Sequence, residues 1–372
     1  MSGAVAIEHT RATPKILSQR TLIWMRFRRH KVALFSLRLL VVLYVIVLFA
    51  EFFAPYDPFN RTPTAILSPP TVVHFFGDDW APQRPFVYGR KTELDRQTFQ
   101  RRYVEDVSVR FPIRLFVRGD TYRTIGPFET DLHLFGVDRP GAIFLAGTDG
   151  LGRDLLSRML FGARTSLFVG LLGLSIGFAL GLLFGGLSGY YGGGVDTAIQ
   201  RLTEFLQSLP TLPLWMALAA LVPRDWTPVQ VYFGISTVLA IIGWTSLARV
   251  IRGKLLTLRE EEYVIAAKIS GVGEWSIVTR HLLPGFASYL IVYLTLAIPQ
   301  MILGEVSLSF LGLGLRPPAV SLGTLLLDAQ NIQTVTLSPW LLYPGLLVVL
   351  IVIAFNFLGD GLRDAVDPYR QG

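Results

Sequence analysis

The sequence predicts an all-α membrane protein with six spanning helices and one small β-rich insert between the first and second. Composition is the first observation. Of 372 residues, 51% are hydrophobic and only 16% charged, with a mean hydropathy of +0.48, whereas soluble domains carry about 25% charged residues. A soluble core stops growing near about 250–300 residues, so lipid is the natural solvent for the excess. The second observation is six apolar windows near the about 20 residues that a span requires. The third is a long, polar, charge-mixed segment, 54–162, that interrupts them.

The windows lie at 33–53, 165–187, 204–222, 230–248, 286–311 and 339–359. The first contains Arg38 near one end, where the side chain snorkels. It is too long for a signal-peptide core of about 7–15 residues and lacks a small-residue cleavage pattern, so it is expected to remain as a signal anchor. The second is uncharged from Ser166 to Gly186, with Gly170, Gly173, Gly177, Gly181 and Gly185 at spacings of three and four. Such a stripe is either a close-packing face or the ordinary glycine content of membrane helices. The third opens at Glu204 and is interrupted by Pro210 and Pro213, which kink or break a helix. In a membrane that is tolerated beside a wet cavity, so this helix and the fifth are expected to line a pathway. The fourth holds Trp244 and runs into Arg249, Arg252 and Lys254. The fifth carries Pro299 and Glu305, and the sixth is the most uniformly apolar, from Trp340 to Phe357.

Basic residues set orientation. Arg11, Lys15, Arg20, Arg26, Arg28, Arg29 and Lys31 face a single Glu8 in the first 31 residues, and the loop 249–285 holds Arg249, Arg252, Lys254, Arg259, Lys268 and Arg280. With six spans these segments and the tail bearing Arg363 and Arg370 share one side, the cytoplasmic one. The net charge of +7 is then a lipid-facing feature and requires no nucleic acid. The expected organisation is a cytoplasmic basic tail (1–31), a first span (32–53), an extracytoplasmic insert (54–162), a five-helix core (163–360) and a cytoplasmic C-terminal tail (361–372). In the insert, 111–118 alternates apolar and basic residues as a strand does. Trp80, Phe86, Tyr88, Phe116, Tyr122 and Phe135 are candidates for its small core.

The loop 249–285 carries the functional signal. Glu262 to Ser270 is a helical run containing Ala266 and Ala267, and Gly271 stands where a helix stops. Gly273 adds a second break. A second amphipathic helix, Glu274 to Leu283, with Trp275, Ile277, Val278, Leu282 and Leu283 on its apolar face, ends at Pro284. Ala266, Ala267 and Gly271 are expected to share a small-residue face that seats in a partner's groove. Ala266-Ala267-Lys268-Ile269-Ser270-Gly271, nine residues, then His281-Leu282-Leu283-Pro284 resembles the Glu-Ala-Ala loop of ABC importer permeases, with Ile265 in place of Glu and His281 in place of Ile. Gly147-Thr148-Asp149-Gly150-Leu151-Gly152-Arg153-Asp154 is similar to the Gly-Thr-Asp-x-x-Gly-Arg-Asp signature of oligopeptide/dipeptide-type permeases. The run Ser307 to Gly314 followed by Arg316-Pro317-Pro318, and Gly359 to Asp364 with Asp367-Pro368, resemble the same family. The resemblance covers the first helix and 147–368, not 55–140, where this chain is longer than typical members.

That resemblance implies a type I ABC importer permease fold in a bacterial inner membrane. It implies a second, homologous permease, two ABC ATPase subunits and an extracytoplasmic solute-binding protein as partners. The helix around 264–275 would be the coupling helix, and ATP with Mg would act on the ATPases, with no cofactor on this chain. Substrates of the family are most often peptides, with oligosaccharides as the alternative here; nickel and opines also occur. The insert is expected to cap the pathway or brace the binding protein.

Other classes fare less well. No Walker A pattern is present: Gly89-Arg90-Lys91-Thr92 has the wrong spacing, and Gly192-Gly193-Gly194 has the character of a turn. With no Cys and five scattered His, at 9, 30, 74, 133 and 281, no metal site is expected. Asp78-Asp79 and Asp149 with Asp154 fit turn caps and solvated charge better than a cation site. An intramembrane acid invites a functional role, so a proton-coupled secondary transporter using Glu204 and Glu305 is the rival in a different class. A membrane-bound enzyme finds no nucleophile-elbow or zinc motif.

Overall fold

Where the apolar windows run unbroken, the chain forms helices of membrane length. The computed structural model describes residues 18–76, 82–94, 101–123, 129–273, 276–282 and 285–367. Among the described residues, five helices are long and apolar enough to cross a bilayer: α2 (Lys31–Leu48), α4 (Leu155–Tyr191), α7 (Pro228–Leu258), α9 (Ala287–Phe310) and α12 (Tyr343–Val366). A shorter α1 (Gln19–Arg29) precedes α2, a single turn, α3 (Ala50–Phe53), extends it past a break at Phe49, and two short helices, α10 (Leu322–Leu325) and α11 (Ile332–Leu337), lie between α9 and α12. Helix α4 opens at Leu155, eight residues before the expected core boundary at 163, because Asp154 caps it through Ser157 N.

The third window becomes two helices, α5 (Gly193–Ser208) and α6 (Thr211–Ala220), with the break at Leu209-Pro210. Pro210 is the N-cap of α6, and Pro213 sits in its first turn, where the missing N–H has no intrahelical partner to lose. Both prolines therefore start a helix; neither kinks one. At 1.5 Å per residue, α6 reaches about 15 Å, half of the hydrocarbon depth.

The glycine stripe of α4 is a packing face. A Cβ at Gly185 would lie 2.7 Å from the Ala248 carbonyl oxygen, and one at Gly189 2.8 Å from Leu255 Cβ. The backbones of α4 and α7 touch along this seam, which only glycine permits. On the other side of α4, Ala163 and Leu167 join Ile302 and Val306 of α9, Ile351 and Phe355 of α12, and Ala33 and Leu40 of α2 in one apolar core. Arg26 Nη1 of α1 donates to the Asp367 carbonyl at 3.0 Å, which puts α1 beside the C-terminal end of α12.

The described residues of the insert form two antiparallel sheets. β1 (His74–Phe76), β2 (Pro82–Leu94) and β3 (Arg101–Pro112) form one, in that order, and β4 (Arg114–Arg123) pairs with β5 (Glu129–Gly136) in the other. The expected strand over 111–118 straddles both sheets. Pro112 ends β3, and the Ile113 N–H still donates to the Pro85 carbonyl of β2 at 2.8 Å before β4 begins at Arg114. Phe86 and Val87 are buried as a core requires, but Phe116, an expected core member, is 59% exposed. Its φ of +57° turns the side chain out of the strand's regular alternation. Trp80 and Asp78-Asp79 lie outside the described residues.

Candidate functional site

A cavity of about 1090 Å³ opens among α4, α6, α7, α9 and the end of α12. Thr211 and Trp215 of the third window and Tyr289, Tyr293 and Gln300 of α9 line it, so the broken helix and the fifth window meet there. Lys254, Gly285, Arg363 and Asp367 gather at one end, which brings the C-terminal ends of α7 and α12 and the approach to α9 to the same end of the bundle. Neither Glu204, Pro210, Pro213 nor Glu305 lines this cavity. Glu204 is exposed on α5 and accepts from Arg201 Nη1 at 2.9 Å. Glu305 is fully buried: Ser166 Oγ of α4 donates to Oε2 at 2.6 Å, and Ser309 Oγ, one turn on, donates to Oε1 at 2.7 Å. Ser166 Oγ also accepts from Leu322 N at 3.1 Å. Glu305 thus ties α4, α9 and the segment after α9. Sequence inspection missed Gln300 and the two tyrosines, because a polar group in an apolar window carries no mark of which face it occupies.

At the cavity's charged end the chain turns into α8 (Glu262–Ile269). Val264 and Ala267 face inward, on a cluster with Leu247, Ile251, Leu255, Ile277 and Leu282. Ala266 and Gly271 face out, beside Tyr263, Ile265 and an 82% exposed Ile269. The three small residues therefore do not share one face: consecutive positions on a helix point about 100° apart, and Ala267 is the one that packs. Lys268 Nζ sits 5.2 Å from the ring centre of Tyr190 at the end of α4. Gly271 has φ +77°, its N–H donating to the Lys268 carbonyl and that of Val272 to Ala267, a left-handed helix stop with open space where a Cβ would go. In the second half of the loop, Ile277–Leu282 forms a wide π-type turn with Ile277 and Leu282 buried, where an α-helix was expected. Leu283 and Pro284, with Glu274 and Trp275, lie outside the described residues.

Beside α8, Arg252 of α7 grips Asp196 at the start of α5, with Nε to Oδ1 and Nη2 to Oδ2 both at 2.5 Å. Ser188 Oγ of α4 donates to the same Oδ1 at 2.5 Å. The Arg252 guanidinium holds the Asp196 carboxyl below its ordinary range. This junction was not visible in sequence, since Asp196 and Arg252 are 56 positions apart. Gly192 alone turns the chain between α4 and α5, with Gly193 and Gly194 opening α5; the φ values of Gly192 and Gly193 are +68° and +54°.

The Gly147–Asp154 signature lies at the opposite end of α4, and its two aspartates are buried, not solvated. Asp149 and Asp154 are each 2% exposed. Asp149 Oδ1 accepts from Leu151 N and Arg153 N at 2.8 and 3.0 Å, and its Oδ2 takes Arg153 Nε at 2.7 Å and faces Arg158 Nε at 3.3 Å. Thr148 Oγ1 accepts from Ser68 N at 2.8 Å and donates to the Ala65 carbonyl, while Trp340 Nε1 donates to the Thr148 carbonyl at 3.0 Å. Gly147 and Gly152 are left-handed (φ +75° and +72°), and a Cβ on Gly152 would run into the Thr62 carbonyl. The signature is a knot joining the chain after α3, the start of α4 and the approach to α12. Asp154 accepts from Ser157 N and Oγ through Oδ2, but its buried Oδ1 has no partner among the described residues. Burial lifts its carboxyl to about 6.

Comparison with known proteins fits this architecture. Residues 177–371, just over half of the chain, match the family model of the binding-protein-dependent transport system inner membrane component, and residues 18–70 match that of the N-terminal TM domain of oligopeptide transport permease C. The dipeptide transport system permease protein DppC of Lactococcus lactis is 31% identical over 93% of this chain and 89% of its own length. DppC of Bacillus subtilis is 39% identical over 62% and 70%, and the oligopeptide permease OppC of Haemophilus influenzae 41% over 60% and 69%. A solved inward-facing MetNI methionine ABC transporter chain aligns with a TM-score of 0.45 at 19% identity, over 56% of this chain and 96% of that one, a likeness too slight to add to the assignment. With a family model matched over more than half of the chain and a relative aligned over nearly its whole length, the chain belongs to the binding-protein-dependent ABC importer permeases, as a multi-pass inner-membrane transport component.

Proposed function

We propose that this chain forms half of the translocation pathway of an ATP-driven importer for peptides, with α8 as the helix through which ATPase subunits move it. The observation that carries this is the exposed face of α8. Tyr263, Ile265, Ala266 and Ile269 project from a helix whose other face is anchored on α4, α7 and the following turn, and apolar groups so presented mark a protein contact. Partners would be a second homologous permease, two ABC ATPases that bind ATP and Mg, and an extracytoplasmic binding protein that delivers the solute. Both termini and the 249–285 loop would be cytoplasmic. Arg26 beside Asp367, and Lys254 with Arg363 at one cavity end, support their common side. The insert would then be extracytoplasmic.

Gly271→Trp tests the coupling role. A bulky side chain at φ +77° on the open face blocks docking while the membrane helices stay intact, so substrate-stimulated ATP hydrolysis of the assembled complex is expected to vanish. Normal stimulation would mean that coupling runs elsewhere. Peptides are favoured as solute by the dipeptide and oligopeptide permeases among the relatives and by a cavity whose membrane part carries amide, hydroxyl and aromatic groups. Reconstituted importer should take up labelled peptides with ATP and insensitively to proton uncouplers. Uptake of oligosaccharides but not peptides would redirect the assignment, and loss of uptake on uncoupling would favour the proton-coupled alternative. That alternative has little geometric support, since Glu204 and Glu305 both lie off the cavity.

A further inference from the structure

The insert's second sheet is fastened to the end of the first span. His133 Nδ1 of β5 donates to the Ala54 carbonyl at 2.6 Å, and the ring of Phe116 in β4 lies 6.3 Å from that of Phe52. The level of this contact relative to the bilayer follows from helix length. From Lys31 to Phe53 the chain rises about 34 Å at 1.5 Å per residue, against a hydrocarbon core of about 30 Å. Glu51 accepts from Arg164 Nη1 at 2.7 Å, and beyond this pair α4 carries no charge through Tyr191 and α2 none back to Leu39. The Glu51–Arg164 pair therefore marks the membrane boundary, with Phe52 beside it. Along α2, Val41, Val45, Leu48 and Phe49 are exposed at the spacing of one helix face. In a spanning helix that face meets lipid, and Phe52 continues it up to Phe116.

At that height β4 reads Arg114-Leu115-Phe116-Val117-Arg118. Leu115 is 68% and Phe116 59% exposed, and Phe116 is held at a φ of +57° that bulky residues avoid. Arginines at both ends of an apolar triplet suit an interface, where cations rise to the headgroups and aromatic rings sit at their level. We propose that the β4–β5 hairpin is a membrane-surface anchor, with Leu115 and Phe116 inserted into the lipid leaflet on the insert's side and Arg118 among the headgroups. The occupant is lipid because the patch is continuous with a face of α2 already in lipid. This holds whichever solute the importer carries.

The Cys-free chain makes the test direct. A single Cys at Phe116, and separately at Leu115, is labelled with a nitroxide in the assembled importer in phosphatidylethanolamine/phosphatidylglycerol vesicles. Val45→Cys serves as the lipid reference and Arg102→Cys, at the charged end of the β2–β3 hairpin, as the water reference. Collisions with oxygen relative to a water-soluble nickel chelate are expected to match Val45 and to exceed Arg102 several-fold. A ratio like that of Arg102 would place the hairpin in water, and weak collision with both reagents would mean that a protein subunit covers it; either result overturns the anchor. The Leu115 label carries the test should the Phe116 variant not assemble.

Discussion

At the residue scale, the Gly147–Asp154 signature shows how short-range chemistry fixes long-range structure. Asp149 and Asp154 serve as turn and helix caps, a role their positions before α4 made legible, yet their burial was not. Charged residues so close to a loop ordinarily stay in water, and here segments distant in sequence, among them Trp340 and Thr62–Ser68, close over them. The consequence is a titration. The Asp154 carboxyl moves from an ordinary 3.8 to about 6 on folding because burial disfavours the carboxylate. The folded chain therefore holds this proton more tightly than the unfolded chain. Its contribution is full below about pH 4 and is lost as the pH rises through 6, an effect on the order of 3 kcal/mol. The thermal midpoint of the purified protein should carry this component, and Asp154→Asn, which keeps the cap, should remove it. The difference between parent and variant is expected to change between pH 7.5 and 5; parallel midpoints across that range would refute it. Asp328, whose carboxyl burial also raises, is common to both proteins and cancels.

At the element scale, helix existence was legible and helix interruption was not. Apolar windows announce α2, α4, α7, α9 and α12 because a spanning segment has one overriding requirement, an unbroken apolar length. Pro210 and Pro213 mark a discontinuity in sequence, but not whether a helix bends or restarts. That was decided by Leu209 and Pro210 adopting extended backbone, which lets Pro213 fall in a first turn. The α4 glycines left packing and simple composition equally open in sequence, and the contact with α7 decides for packing. Gly185→Leu should push α4 from the Ala248 backbone and leave the protein unassembled or aggregated on size exclusion. Gly186→Leu, one position round the helix with nothing within 4 Å of its Cβ, should be tolerated. Equal behaviour of the two variants would count against a glycine seam.

At the scale of the whole molecule, the four separated motifs were enough to identify the family, because they lie at the places where distant segments must meet: the knot before α4, the loop at α8, the turn after α9 and the end of α12. The insert was legible only as β-rich. Its attachment depends on His133 reaching Ala54 and Phe116 reaching Phe52, contacts across 79 and 64 positions that no local pattern encodes.

Helix α4 runs unbroken from Leu155 to Tyr191, about 55 Å at 1.5 Å per residue, and no proline or bulge interrupts it. Asp154 and its knot hold one end; Tyr190, under Lys268 of α8, is at the other. With no hinge along its length, α4 acts as a lever, and a tilt of about 5° imposed at Tyr190 would sweep the far end by about 5 Å. A push on α8 would thus arrive at the opposite mouth as displacement of the Asp149–Arg158 knot, without relay through any intervening loop.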